Sequence, residues 1–212
     1  MRLFVILLFI CPLVSEAQNR TWKIGLSGGA VYNFRTPLNI RQDGQPLISL
    51  KARYKTDPFR APFYYSIKLG SYKGQKGTEV KLTHHKLILK NLSPDVQRFS
   101  VTDGFNLLTI NHVWLRQGFA WSLGAGIVIT HPESTIRNRP FPENKGILND
   151  GYYISGPTIE AALHKEYSFS KHWFVSGEAR ATAAYVRVPV VGGNARVPSA
   201  TLHVLGGLGY VF

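Results

Sequence analysis

Between residues 119 and 129 the chain reads FAWSLGAGIVI. Phe119, Trp121, Leu123, Ala125, Ile127 and Ile129 fall on one side of an extended strand, and Ala120, Ser122, Gly124, Gly126 and Val128 on the other. Side chains of a strand point alternately to opposite faces, so period two of this kind specifies one broad apolar face and one small or polar face. The pattern recurs. Leu202, Val204, Leu208, Tyr210 and Phe212 oppose Thr201, His203, Gly207 and Gly209; Trp173, Val175, Ala179 and Ala181 oppose Ser176, Glu178, Arg180 and Thr182; Trp22, Ile24 and Leu26 oppose Lys23, Gly25 and Ser27. No stretch shows good helix patterning. Each segment runs about 10 residues or more, the length a tilted strand needs to cross a bilayer.

Aromatics gather at segment ends: Trp22, Trp114, Phe119, Trp121, Tyr167, Trp173, Tyr210 and Phe212. Such girdles form where membrane meets water. A soluble β-sandwich or a lipocalin-like barrel would use similar strands but turn its apolar rows inward. The direction in which Trp121, Ile127, Ala179 and Leu202 point decides between them.

The opening MRLFVILLFICPLVSEA has one cation, an apolar run from Leu3 to Val14, and small residues at Ser15 and Ala17. It reads as a secretory signal over residues 1–17, cleaved after Ala17. The run is shorter than the roughly 20 residues of a spanning helix and contains Pro12. The sole cysteine, Cys11, lies within it, so residues 18–212 carry neither a disulfide framework nor thiol chemistry. The formal net charge is +13. Such an excess predicts an anionic partner, and export turns the choice from nucleic acid towards phospholipid and lipopolysaccharide.

A naive strand count gives nine. Asp43-Gly44 between alternating runs is a hairpin signal, so the first strand extends to about Gln42. LISLKARYK and FYYSIKLGSY then form one strand kinked at DPFRAP. Eight strands remain, at roughly 20–42, 46–72, 77–90, 104–116, 118–131, 151–166, 172–188 and 197–212. KGQK, RQG and SFSK are short turns, and NLSPDVQRFSVTD, HPESTIRNRPFPENKGILND and PVVGGNAR read as long loops. Short turns belong to the periplasmic rim and long loops to the outside. The expected fold is an all-β, eight-stranded antiparallel up-and-down transmembrane β-barrel in one domain, residues 18–212.

With its signal, its strand and loop alternation and its GGLGYVF ending on Phe, the chain resembles the small outer-membrane β-barrel proteins of Gram-negative-type bacteria. That resemblance covers the whole chain after the signal. It implies a bacterial outer-membrane location and an encounter with the barrel-assembly machinery, which in this class reads a terminal strand like the one ending in Tyr210 and Phe212.

The lumen of eight strands is just wide enough for side chains to fill, and charges buried there must pair. Lys68, Glu79, Lys81, Glu160, His164, Glu178, Arg180 and His203 are the expected charge network, with Lys51, Arg53, Lys55 and Glu166 also assigned to the lumen. In GTEVKLTHHKLILKN, Val80 and Leu82 set an outward row while Leu87 and Leu89 have the other parity, which predicts a β-bulge across His84-His85-Lys86.

The expected role is structural, envelope-maintaining or surface-binding, with lipopolysaccharide a candidate contact through Arg35, Arg41, Arg60, Arg98, Arg137 and Arg139, alongside Lys145 and Arg196. Small barrels resembling this one also include lipid A palmitoyltransferases and deacylases, in which a His activates a hydroxyl. An acyl hydrolase or acyltransferase would here use His85 or His84 as base, Glu79 as orienter, and Thr83, Ser66 or Ser176 as nucleophile. The sequence departs from those enzymes: no His-x-Ser pair stands at a lipid-facing strand end, and no amphipathic helix precedes the first strand. A narrow solute pore is a third reading. Neither a cofactor nor a metal is expected, since adjacent histidines such as His84 and His85 point to opposite faces.

Overall fold

The computed structural model describes residues 20–142, 146–147 and 149–212, without the side chain of Asp103. The expected signal peptide and Lys145 lie outside the described residues. The elements are β1 (Thr21–Asn33), β2 (Thr36–Gln42), β3 (Ile48–Ala52), β4 (Tyr54–Lys55), β5 (Tyr65–Lys73), β6 (Lys76–Leu89), β7 (Val96–Arg116), β8 (Phe119–Ile136), β9 (Arg139–Pro140), β10 (Tyr153–Ser168), β11 (Trp173–Val190) and β12 (Gly193–Val211). None of the described residues is helical.

Eight of these strands form a closed antiparallel ring. Its order is β1-β5-β6-β7-β8-β10-β11-β12, and β12 returns to β1 with Leu208 beside Leu26. The amide of Phe212 donates to the carbonyl of Trp22 (2.9 Å), so the last strand is sealed to the first. Closure leaves no open edge, the condition for placing strands in hydrocarbon.

The first two strands are both interrupted: the second as the kink at DPFRAP predicts, and the first as well. β1 and β2 make one stave broken near Phe34, with a turn at Asp43-Gly44. β3, β4 and β5 make the next, interrupted between Lys55 and Tyr65. β2 pairs with β3 and with the start of β12, and β4 pairs with the end of β6, so the ring continues upward past the interruption.

From Trp22 to Tyr32, Phe119 to Ile127, Trp173 to Tyr185 and Leu202 to Phe212 the apolar rows face outward. Trp121 is 53% exposed and Leu202 46%. The lipocalin-like alternative requires these side chains inside. They form instead a belt suited to acyl chains, with Trp114 beside Trp121 and Trp173 beside Tyr210 along the lower rim.

Above the belt the arrangement inverts. Leu38, Ile40, Leu87, Leu89, Phe99, Val101, Ile136, Val188 and Val197 pack inside the ring as an apolar core, and Arg41, Lys51, Arg53, Arg98 and Arg187 lie outside. Three expectations are corrected here. Lys51 and Arg53 face solvent, because Ala52, Tyr54 and Thr56 take the inward positions; Lys55 is half-exposed. Leu87 and Leu89 face inward on the same parity as Glu79, Lys81, Thr83 and His85, so the contents of the lumen change rather than the phase of the strand. The register shift near His85 exists, but the additional residues sit in β7. His85 pairs with Phe105 and Leu87 with Val101, while on the other side of β7 Phe105 and Val101 meet Thr130 and Pro132. Gly104 carries this bulge at φ +151°, where a Cβ would come within 2.1 Å of the Asn106 side chain.

Much of what reads as outer loop is also strand. β7 begins at Val96 rather than near 104, β8 continues to Ile136, and β11 and β12 meet at a tight turn, Val191-Gly192. Pairing of the added residues lets them wall the apolar core without leaving backbone groups unsatisfied.

Candidate functional site

The lower lumen is built by the inward parity of β5, β6, β10 and β11. Lys81 is its centre. The ammonium is fully buried and lies 3.3 Å from Glu79, 3.2 Å from Glu160 and 3.6 Å from Glu178, with the Ser122 hydroxyl at 3.5 Å. Arg180 donates from Nε to Glu178 (2.6 Å), from Nη1 to Thr83 (2.6 Å) and from Nη2 to Ser66 (3.2 Å). Lys68 bridges Glu166 (3.1 Å) and Glu79 (3.7 Å), and Lys23 meets Glu166 at 2.5 Å nearer the mouth.

Four cations, Lys23, Lys68, Lys81 and Arg180, thus face four carboxylates, Glu79, Glu160, Glu166 and Glu178. A balanced cluster is what a low-dielectric enclosure demands, since an unpaired buried charge costs several kcal/mol. His164 stands 3.8 Å from Glu79 and 3.7 Å from Glu166.

Sequence reasoning left several members out. Tyr72 donates to Glu79 from a ring packed on the backbone of Gly77, where a Cβ would approach Tyr72 to 2.4 Å. Thr109 donates to Glu160 (3.1 Å) and in turn accepts from Asn111 (3.0 Å). Inward parity identifies Thr109 and Asn111 in the sequence; nothing in it marks Tyr72 as the partner of Glu79.

The histidine candidates separate. His85 is sealed inside, with Nε2 3.0 Å from the Thr56 hydroxyl and its ring edge-on to Phe105, Tyr64 and His203. His203 makes a 2.8 Å contact from Nδ1 to the Tyr64 hydroxyl and a 2.7 Å contact from Nε2 to Thr201. His84 faces the other way, stacked on Tyr65 with Nδ1 2.8 Å from the Asn106 Oδ1. Thr83 is engaged by Arg180 and Ser66. His85, His84, Glu79 and Thr83 therefore do not assemble a base and hydroxyl open to lipid. Among the described residues no three or more His, Cys, Asp or Glu side chains converge as metal ligands would.

A second feature lies on the outer wall of the upper barrel. The segment 56–64 crosses the strand interruption and leaves a groove of about 420 Å³ against the ends of β6, β7 and β8. Lys55, Arg60, Lys86 and Arg98 line it together with Asp57 and Glu133. Lys55 pairs with Asp57 at 2.6 Å, and this hydrogen bond holds the Asp57 carboxyl below the ordinary carboxylate range. Lys86 donates to the carbonyl of Arg60 (2.7 Å), and Glu133 takes Arg98 on one oxygen and Thr102 (2.5 Å) on the other.

Of the arginines expected to clamp anions, Arg60 and Arg98 share this groove. Arg137 joins three loops, donating to Gln42 (2.6 Å) and to the carbonyl of Pro46 (2.9 Å) beside Asp95. Arg35 lies at the break between β1 and β2, Arg41 at the end of β2, Arg139 near the Gly192 turn, and Arg196 opposite Asn39. Tyr210 and Phe212 sit at the lower rim, their rings 5.3 Å apart.

No protein-family model matches the sequence, and no curated protein matches it significantly. Solved structures do. The outer membrane protein AlkL, determined in lipid bilayers, aligns over 91% of this chain and 90% of its own with a TM-score of 0.52 at 10% identity. OprG of Pseudomonas aeruginosa aligns over 91% of this chain and 95% of its own at 13% identity and a TM-score of 0.43. Ail, the attachment invasion locus protein of Yersinia pestis, does so over 91% and 97% at 11% identity and a TM-score of 0.40. With the closed ring and the outward apolar belt, the alignment to AlkL assigns the chain the fold of the small eight-stranded outer-membrane β-barrels.

Proposed function

We propose that the protein is an integral β-barrel of the bacterial outer membrane that acts as a closed scaffold. On this reading it contributes to envelope integrity and presents its extracellular half for surface binding, lipopolysaccharide included. The observation that carries the reading is the Lys81 cluster. An ammonium held by Glu79, Glu160 and Glu178, beside an Arg180 tied to two hydroxyls and a carboxylate, occupies the cross-section that a solute would need. The apolar core above it supplies a second closure.

Export through the signal at 1–17 and insertion by the barrel-assembly machinery, reading the strand that ends in Tyr210 and Phe212, complete the proposal. Reconstituted in a planar bilayer, the protein is expected to give no stepwise conductance, and regular channel openings would overturn the closed scaffold. Lipid A from cells with and without the gene is expected to have the same acyl pattern by mass spectrometry. A lost or gained chain would restore the acyl hydrolase or acyltransferase reading.

A further inference from the structure

We propose that the groove under residues 56–64 binds the phosphorylated headgroup of an outer-leaflet lipid, with Lys55, Arg60 and Arg98 as its cationic wall. This deepens the outer-membrane reading and rests on it.

Height is the first argument. Ile129 is the last lipid-facing residue of β8, and Glu133 at the groove lies four residues further along the same strand. At about 3.3 Å per residue and a barrel-strand tilt near 40°, that places the groove roughly 10 Å above the edge of the hydrocarbon. The polar headgroup layer extends about 5–8 Å beyond the hydrocarbon on each side, so the groove opens at its outer margin.

Shape is the second. Phe59 and Phe63, on either side of Arg60, Ala61 and Pro62, are 81% and 60% exposed. Both belong to the irregular segment that roofs the groove, and nothing in the folding of the barrel uses them. Bulky aromatics beside a cationic recess suit a ligand that is charged at one end and greasy at the other. A soluble anion leaves them without a role.

Charge is the third. Among the described residues, Lys55, Arg60 and Arg98 line the groove with Asp57 and Glu133. Asp57 and Glu133 fix Lys55 and Arg98 in place without cancelling the wall. Arg60 has no side-chain acceptor among the described residues, and the Arg98 side chain is still 58% exposed while paired. Guanidinium groups offer forked donors that match phosphate oxygens.

The test titrates the folded protein in zwitterionic micelles with diphosphoryl lipid A, with lipid A stripped of its phosphates, and with inorganic phosphate. Saturable binding is expected for the diphosphoryl lipid alone. Arg60→Glu is expected to weaken it about tenfold or more, the scale of one charge-assisted hydrogen bond. Arg187→Glu makes the same change in charge on the opposite wall and is expected to leave the affinity within about twofold. Equal losses in both variants would overturn the site in favour of diffuse attraction. Equal binding of the dephosphorylated lipid would overturn phosphate recognition, and competition by inorganic phosphate at matched ionic strength would overturn the lipid as ligand. Throughout, the unboiled protein is run on gels: a folded barrel that ignores lipid A sinks the groove alone, whereas a chain that enters no bilayer or micelle sinks the membrane reading beneath it.

Discussion

The lower and upper halves of this barrel use one strand geometry with opposite chemistry. Below the level of His85 the inward row of β6 is Glu79, Lys81 and Thr83 and the outward row is Val80 and Leu82; above it the inward row is Leu87 and Leu89. The medium outside explains the switch. Hydrocarbon leaves the polar set nowhere to go but the lumen, and water above the membrane restores the ordinary preference for an apolar core. The same eight-strand ring is thus a membrane protein for part of its height and a soluble barrel for the rest. The crossover falls at His85, Tyr64 and His203, side chains with both ring surface and polar atoms.

Because the two halves are held by different forces, they should break differently. The largest effect is expected from Lys81→Met. Three carboxylates would lose their common counter-ion, and breaking a buried cluster from one side costs about 4 kcal/mol. Urea unfolding in micelles measures it. Adding Glu160→Gln to Lys81→Met should recover part of the loss, because one orphaned charge is then neutral. A Lys81→Met barrel as stable as the parent would mean that water, and not the ion pairs, balances the lower lumen.

Val204→Arg comes next. Val204 is 68% exposed in the middle of the belt, beside Ala30 and Ala179. Arginine on the lipid face near the midplane costs about 3 kcal/mol. Arg187 has the same outward orientation on a neighbouring strand and already carries that charge in the upper half, where Arg187→Ala should cost under about 0.5 kcal/mol. If Val204→Arg proved as silent in a bilayer-mimicking micelle, the belt would not be facing lipid.

Those contrasts also locate what the sequence could convey. The parity of Trp121, Leu123 and Ile127, the hairpin at Asp43-Gly44 and the kinked second stave were readable because they depend on local pattern and on an even strand count. The inward positions of Lys68, Glu79, Lys81, Glu160, Glu178 and Arg180 followed from the same parity. The inversion did not. Taking polar to mean enclosed assigned Lys51 and Arg53 to the lumen and required a phase switch at Leu87. Both errors have one cause: parity gives the face of a strand, while the medium outside decides which face is wet, and the sequence carries no direct marker of membrane height. Side-chain parity marks the level of the bulge but points to β6, although Gly104 in β7 is the residue able to hold it. The groove was invisible for a different reason. Lys55, Arg60, Lys86 and Arg98 come from separate segments, and only the path of residues 56–64 over the strand ends brings them together.

A matched pair of leucines separates the two media more finely. Leu87 is fully buried in the upper core, and Leu123 is 58% exposed on the belt. Leu87→Ala leaves a cavity walled by protein and should cost about 3 kcal/mol. Leu123→Ala removes the same atoms, but acyl chains move into the space, so the cost should stay below about 1 kcal/mol. The difference, read from unfolding midpoints at a common slope, measures rigid packing against fluid solvation at one residue type. Equal costs would mean that the upper core is as loosely filled as the lipid shell.

The smallest effect belongs to Lys55 and Asp57. Their 2.6 Å contact is made by side chains still 42% and 30% exposed, and exposed pairs contribute under about 1 kcal/mol. Lys55→Ala should therefore leave unfolding almost unchanged, and what little it loses at low salt should shrink at high salt. The same pair in the lower lumen would be indispensable; on the upper exterior it is free to be spent on a ligand. Lys55→Ala that retains full stability but binds diphosphoryl lipid A more weakly would assign this lysine to recognition. A loss of stability comparable to Lys81→Met would show instead that residues 56–64 brace the barrel, and that the groove is a by-product of that bracing.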